Sequence, residues 1–199
     1  MTDSASDTLS SLAERRGVDP AVYQPAEDSG LLAEAAIGSL SNPELVLEVG
    51  TGSGWVAQQV AAQTGARVIG SDLNPHACQQ ARERGVEAVR ADLLDPFSDG
   101  VFDAVLFNPP YLPTDPENEW DDWMEHALSG GEDGRRLIGP FISDVERVLA
   151  PGGEVYLLVS SLTGYDIVVE LAENAGFAVD EVVQESYPFE VLSILRLSR

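Results

Sequence analysis

The chain has 199 residues and is 44% apolar, which fits one domain with a sizeable core. Its 34 Asp and Glu stand against 11 basic residues, all of them Arg, for a net charge of -23. That balance argues against a free-standing nucleic-acid binder and against an anionic membrane surface, since little here would displace counterions from phosphates.

Residues 1–20 are polar, end in Gly17 and Pro20, and read as a loose tail or a frayed helix, with no apolar stretch of a signal peptide. The expectation is a tail over 1–20 and one domain over 21–199. Residues 26–40 carry apolar side chains at helical spacing behind early acidic residues, and Asn42-Pro43 breaks the helix. Leu45–Val49 reads as a buried strand, Gly50–Gly54 as a glycine turn, and Trp55–Thr64 as a helix stopped by Gly65. A strand over Arg67–Ser71, a helix over Pro75–Arg84 and an edge strand over Val86–Ala91 follow. Phe102–Phe107 is a fourth strand, and residues 112–134 form a long acidic connection holding Trp120 and Trp123. A helix over Arg135–Leu149, a strand over Glu154–Ser160 and a helix over Gly164–Ala175 come next. Phe177–Glu185 and Glu190–Leu197 pair as a closing hairpin. This alternation predicts an α/β, Rossmann-like doubly wound sheet of seven strands, mostly parallel with an antiparallel last strand. No run is apolar enough for a spanning helix, and one cysteine makes neither an internal disulfide nor a metal site. A cytoplasmic protein without a metal is therefore expected.

The first strand runs into Gly50, Gly52 and Gly54, where backbone can approach a ligand closely. Trp55 falls where a dinucleotide fingerprint would need its next glycine, and no Gly-Lys-Ser/Thr follows, so neither NAD, FAD nor a P-loop fits. Asp72 ends the second strand, where a carboxylate can accept both hydroxyls of a ribose. Asp92 ends the third, placed for the exocyclic amine of adenine. The alternative for each Asp is an exposed helix cap. Together they fit one adenosine at the carboxyl ends of the strands. Glu48 is placed to meet a positive group such as an α-amino or a sulfonium, with a backbone contact as its alternative.

The fourth strand ends in Asn108-Pro109-Pro110-Tyr111, the most specific signal in the chain. Two prolines fix the backbone and remove two donors, leaving the Pro109 carbonyl to face a ligand. Asn108 offers a second acceptor and Tyr111 a flat wall. Two acceptors and a wall suit a planar NH2 group, whose lone pair they aim at an electrophile. The nitrogen gains positive charge as it attacks, so those bonds strengthen in the transition state, and no base is required before attack. The alternative is a turn stiffened by prolines.

With these residues the chain resembles class I S-adenosylmethionine-dependent methyltransferases that modify amino groups. Two stretches narrow the likeness. Val22-Tyr23-Gln24-Pro25-Ala26-Glu27-Asp28-Ser29 resembles the V-Y-x-P-A-E-D-[ST] segment of HemK-type glutamine methyltransferases in their eukaryotic and archaeal release-factor branch. Gly130-Gly131-Glu132-Asp133-Gly134-Arg135 resembles the G-G-x-D-G-R that follows their catalytic motif. The likeness spans roughly residues 20–199. It implies methylation of the Gln side-chain nitrogen in the Gly-Gly-Gln loop of a class I translation termination factor. It also implies S-adenosyl-L-methionine as cofactor, held by Ser29, Glu48, Gly50, Gly52, Gly54, Asp72, Leu73, Asp92, Leu93 and Asn108. Asn108, Pro109, Pro110 and Tyr111 would form the substrate clamp, with Asn108, Pro109 and Tyr111 as its catalytic members. Bacterial relatives of this kind carry a helical domain before the glycine strand, whereas only about 44 residues precede it here. Family members this short resemble those paired with a small zinc-binding activator protein, which would cover an apolar sheet edge as a heterodimer. No membrane and no direct nucleic-acid contact is expected.

Rival acceptors for the same clamp are adenine N6 in DNA, an RNA base and a protein Lys; a non-catalytic nucleoside-binding subunit is a rival of another class. The acidic, Lys-free composition resembles that of proteins from salt-accumulating microbes and is read first as halophilic solvent adaptation. Cys78 is expected to be packed, His76 exposed, and the connection holding His126 to be either a lid or a solvated loop.

Overall fold

The structure, a computed structural model, describes residues 21–115 and 122–199; the expected tail over 1–20 and Trp120 lie outside them. The elements run α1 (Glu27–Ser39), β1 (Leu45–Val49), α2 (Trp55–Thr64), β2 (Arg67–Asp72), α3 (Pro75–Glu83), β3 (Glu87–Arg90) and β4 (Phe102–Phe107). They continue as α4 (Trp123–Leu128), α5 (Ile138–Val148), β5 (Leu149–Ser160), a 3-10 turn (Ser161–Thr163), α6 (Tyr165–Asn174), β6 (Ala178–Ser186) and β7 (Val191–Ser198). The seven strands stand in the order β3-β2-β1-β4-β5-β7-β6. β1 pairs in parallel with β2 and β4, and β4 with β5, while β7 runs antiparallel to both β5 and β6. This is the Rossmann-like, doubly wound sheet that the alternation of elements predicts, and the last strand is the antiparallel one.

Both faces of the sheet are covered, which is why its central strands read as unbroken apolar runs. On one face Val46, Leu106, Tyr156 and Ile194 pack with Leu32 and Ala36 of α1 and Val56 and Val60 of α2. On the other, Leu47, Val105, Leu157 and Leu195 pack with Phe141, Ile142 and Val145 of α5 and Val168 of α6. No helix among the described residues is long and apolar enough to cross a membrane.

Most element ends fall within one residue of the sequence expectation, and the differences that bear on the site are these. The helix expected from Arg135 begins at Ile138, because the Arg135 amide donates to Asp133 Oδ1 and its guanidinium reaches the Thr163 carbonyl. β5 begins at Leu149, five residues early, since Leu149 pairs with Phe102 before the Pro-Gly-Gly bend interrupts the register. The edge strand β3 is shorter, Glu87–Arg90. A short helix, α4, lies in the acidic connection and is capped by Asp122, whose side chain accepts from the Glu125 amide.

Candidate active site

The strand order reverses beside β1, where β2 lies to one side and β4 to the other. Open α/β sheets bind ligands at such a reversal, beyond the carboxyl ends of the strands. A cleft of about 380 Å³ opens there, lined by the ends of β1, β2 and β4 and by the segment before α1, and its size is that of a small-molecule site.

The glycine turn builds the floor. Gly50, Gly52 and Gly54 all take left-handed φ angles, +65°, +51° and +78°. Gly50 and Gly52 line the cleft, whereas Gly54 does not. A Cβ on Gly54 would stand 2.8 Å from Cα and Cβ of Ala81, so this glycine lets α2 press against α3. Gly54, expected among the cofactor contacts, thus serves packing behind the turn. Glu48, just ahead of the turn, is 4% exposed. Its Oε2 accepts from Thr51 Oγ1 at 2.5 Å and from the Ala57 amide at 3.0 Å, tying the turn to the first residues of α2. Burial pushes its carboxyl up to about 8, against the pull of those two hydrogen bonds. It also lines the cleft, so it meets both the backbone partners and any ligand placed there.

Asp72 accepts from the Gly52 and Asn74 amides, each at 2.9 Å. Burial raises its carboxyl above the ordinary value, opposed by these backbone bonds. Leu73, Asp92 and Leu93 complete that side of the cleft. Leu93 holds φ at +44°, a left-handed conformation that costs a side-chain-bearing residue roughly 1–2 kcal/mol. Arg147 secures the loop that follows, donating to the carbonyls of Leu94 at 3.0 Å and Phe97 at 2.7 Å while pairing with Asp99 and Asp144.

Asn108, Pro109, Pro110 and Tyr111 form the opposite wall. Asn108 Nδ2 donates to Asp28 Oδ2 at 2.9 Å. Its Oδ1 is buried and has no hydrogen-bond partner among the described residues. A buried acceptor left open is costly, and at a cleft wall it marks a place for a ligand donor. The Gly130–Arg135 stretch backs this wall. Gly134, at φ +74°, sits so close to Tyr111 that a Cβ there would come within 2.5 Å of the Tyr111 carbonyl. Burial and the nearby Glu190, Asp28 and Tyr23 raise the Tyr111 phenol, so it stays protonated.

The structure brings together twelve of the thirteen expected site residues around one cleft, Ser29, Glu48, Gly50, Gly52, Asp72, Leu73, Asp92, Leu93, Asn108, Pro109, Pro110 and Tyr111, and leaves out Gly54. Residues not foreseen in the site are Tyr23 and Asp28, which line it from the segment before α1 and the first turn of α1. Their signal was present, because both fall in the Val22–Ser29 stretch, but nothing local says that Asp28 turns toward a loop 80 residues away. Trp123 and His126 also line the cleft, so α4 forms part of its wall. Cys78 is packed, with 1% exposed. The set fits S-adenosylmethionine: acceptors at Asp72 and Asp92 suit ribose hydroxyls and an adenine amine, and the turn leaves room for a close approach.

A family pattern described as a methyltransferase domain matches residues 46–130. A Methanocaldococcus jannaschii protein with the provisional name protein N5-glutamine methyltransferase MJ0928 is 36% identical, over 90% of this chain and 93% of its own length. The mouse methyltransferase HEMK2 is 33% identical over 92% of each chain. Among solved structures, the E. cuniculi Mtq2-Trm112 complex, responsible for methylation of the eRF1 translation termination factor, superposes with a TM-score of 0.76. That match has 28% identity and covers 90% of this chain and 99% of the other. With a glycine-floored cleft at the sheet reversal, an Asn-Pro-Pro-Tyr wall and relatives that match it nearly end to end, the chain belongs to the HemK-type family of S-adenosylmethionine-dependent protein glutamine methyltransferases.

Proposed function

We propose that this enzyme methylates the side-chain amide nitrogen of the Gln in the Gly-Gly-Gln loop of a class I translation termination factor. The observation that carries this reading is the buried, unpartnered Oδ1 of Asn108 at the wall of the cleft. An NH2 group is the donor that this acceptor lacks. Asn108 Oδ1 and the Pro109 carbonyl accept the two amide protons, and Tyr111 flanks the amide plane. Asp72, Leu73, Asp92 and Leu93 hold the nucleoside, Ser29 and Glu48 the amino-acid end, and Gly50 and Gly52 admit it closely. S-adenosylmethionine supplies an electrophilic methyl carbon when bound. The clamp orients the amide nitrogen toward it and excludes rotation, and its hydrogen bonds tighten as the nitrogen becomes positive. One amide proton then leaves to solvent.

The likeness to the Mtq2-Trm112 complex supports a small partner subunit, here a zinc-binding activator in a cytoplasmic heterodimer. The β3 edge offers it an exposed apolar side chain at Val89, on an unpaired strand edge that a soluble protein ordinarily protects. The charge of -23 supports a protein acceptor over DNA or RNA, and a salt-rich, halophilic setting.

Incubation of the enzyme with S-adenosylmethionine, the activator and a termination factor, followed by peptide mass spectrometry, is expected to place one methyl group on the Gly-Gly-Gln glutamine. Methyl transfer to a Lys, to DNA or to RNA offered in competition, with the glutamine untouched, would overturn the reading. The Asn108→Ala variant is expected to bind the cofactor with an affinity within a few-fold of wild type while kcat falls by about 100-fold or more.

A further inference from the structure

We propose that Asp28 is the positioning residue that decides which end of the Asn108 amide faces the acceptor; the proposal rests on the clamp reading above. Asp28 is 4% exposed and sits in the first turn of α1. Its Oδ2 accepts from Asn108 Nδ2 at 2.9 Å and from the Tyr23 hydroxyl at 3.1 Å. Its Oδ1 accepts from the Ser29 amide at 2.6 Å and the Ser29 hydroxyl at 3.1 Å. Both oxygens are therefore engaged as acceptors, and the carboxylate has nothing else to offer Asn108.

The consequence lies on the far side of the amide. An Asn side chain that turns over exchanges its oxygen and its NH2 with almost no change of shape. For Asn108 the two orientations are unequal. Turned over, its oxygen would face the Asp28 carboxylate, and a charge-assisted hydrogen bond would become a contact between two acceptors. The observed orientation sends Oδ1 the other way, where it is buried and unpartnered. The same step that satisfies Asp28 thus leaves an acceptor, rather than a donor, for the incoming NH2. Tyr23 and Ser29 hold Asp28 in place, so the Val22–Ser29 segment acts on the clamp through one carboxylate.

The test is an exchange of the two side chains. In Asp28→Asn, an NH2 faces Asn108, and the Asn108 amide turns over to meet it with oxygen; a donor then confronts the substrate. With wild-type holoenzyme and a Gly-Gly-Gln-bearing termination factor as reference, kcat of this variant is expected to fall by about 100-fold, a loss of the size seen when one transition-state hydrogen bond is removed. Calorimetric affinity for S-adenosylmethionine should stay within about two-fold, because the Ser29 contacts to Oδ1 persist. Asn108→Asp places two carboxylates together and loses turnover similarly. The double variant Asp28→Asn with Asn108→Asp restores a donor at position 28, an acceptor at 108, and an oxygen toward the substrate. It is expected to recover at least about ten-fold in kcat over Asn108→Asp alone. Wild-type kcat in Asp28→Asn, or no recovery in a double variant that binds the cofactor normally, would overturn the role of Asp28. A wild-type enzyme that methylates no glutamine would instead overturn the clamp reading beneath it, so the two failures are distinct.

Discussion

Glu48 is where the cost of the site falls on a single residue. A carboxyl with 4% exposure and only a hydroxyl and an amide as partners resists ionisation, and burial raises it to about 8. In the unfolded chain it returns to the ordinary carboxylate range near 4.5. Between those two values the folded protein binds a proton that the unfolded chain has lost, so stability from this group is full below about 4.5 and drains away as pH rises through about 8. Glu48→Gln keeps an oxygen for Thr51 and Ala57 and removes the charge. Relative to wild type, this variant is expected to gain stability as pH is raised from 5 to 9, by on the order of a few kcal/mol, in paired urea denaturation series. A constant difference across that range would show that Glu48 ionises without penalty. Asn108 was legible in the sequence because prolines on a strand end announce a rigid bend. The orientation of its amide was not, because that depends on a hydrogen bond to Asp28, 80 residues earlier.

The loop after β3 is an element held from outside itself. It carries Asp92 and Leu93 into the cleft, with Leu93 in a left-handed conformation. Arg147, on α5, holds two of its carbonyls, Leu94 and Phe97, and pairs with Asp99 at its end. Arg147→Ala leaves those carbonyls without a donor and is expected to cost roughly 1–3 kcal/mol, since its side chain is 32% exposed and water can replace part of what is lost. The same variant should weaken S-adenosylmethionine severalfold in calorimetry, because Leu93 loses what keeps it strained; unchanged affinity would mean the loop is set by β3 alone. At this scale the sequence was legible wherever periodicity and a stop signal coincide: β1, α2 and β4 match their expected ranges residue for residue. It misled where a tertiary bond decides the boundary. Arg135–Leu137 have helical composition, yet Arg135 is recruited by Asp133 and Thr163 into the turn that backs Tyr111. α4 was unreadable because the connection is too acidic and too short in apolar residues to show a period.

For the molecule as a whole, 34 acidic residues against 11 Arg leave most carboxylates without an opposite charge of their own. The pairs that do form lie near the surface, as with Arg67–Glu87, Arg147–Asp144, Arg196–Asp180 and Arg199–Glu146. Salt acts on both populations in opposite senses: it weakens these pairs and it screens repulsion among the rest. With the excess so one-sided, repulsion wins. The Debye length shrinks from about 10 Å at 0.1 M to about 3 Å at 1 M, so carboxylates on neighbouring turns cease to feel each other over that interval. Glu170 and Glu173 of α6 are such a pair, exposed and three residues apart on one helix, a spacing at which like charges destabilise. Thermal midpoints are expected to climb by several degrees between low and molar KCl. Glu170→Gln with Glu173→Gln should raise the low-salt midpoint and flatten the climb, leaving the molar-salt value nearly unchanged. A rise equally steep in the double variant would assign the effect to salt acting on apolar burial rather than on charge, and a midpoint that falls with KCl would mean that the few Arg pairs outweigh the repulsion.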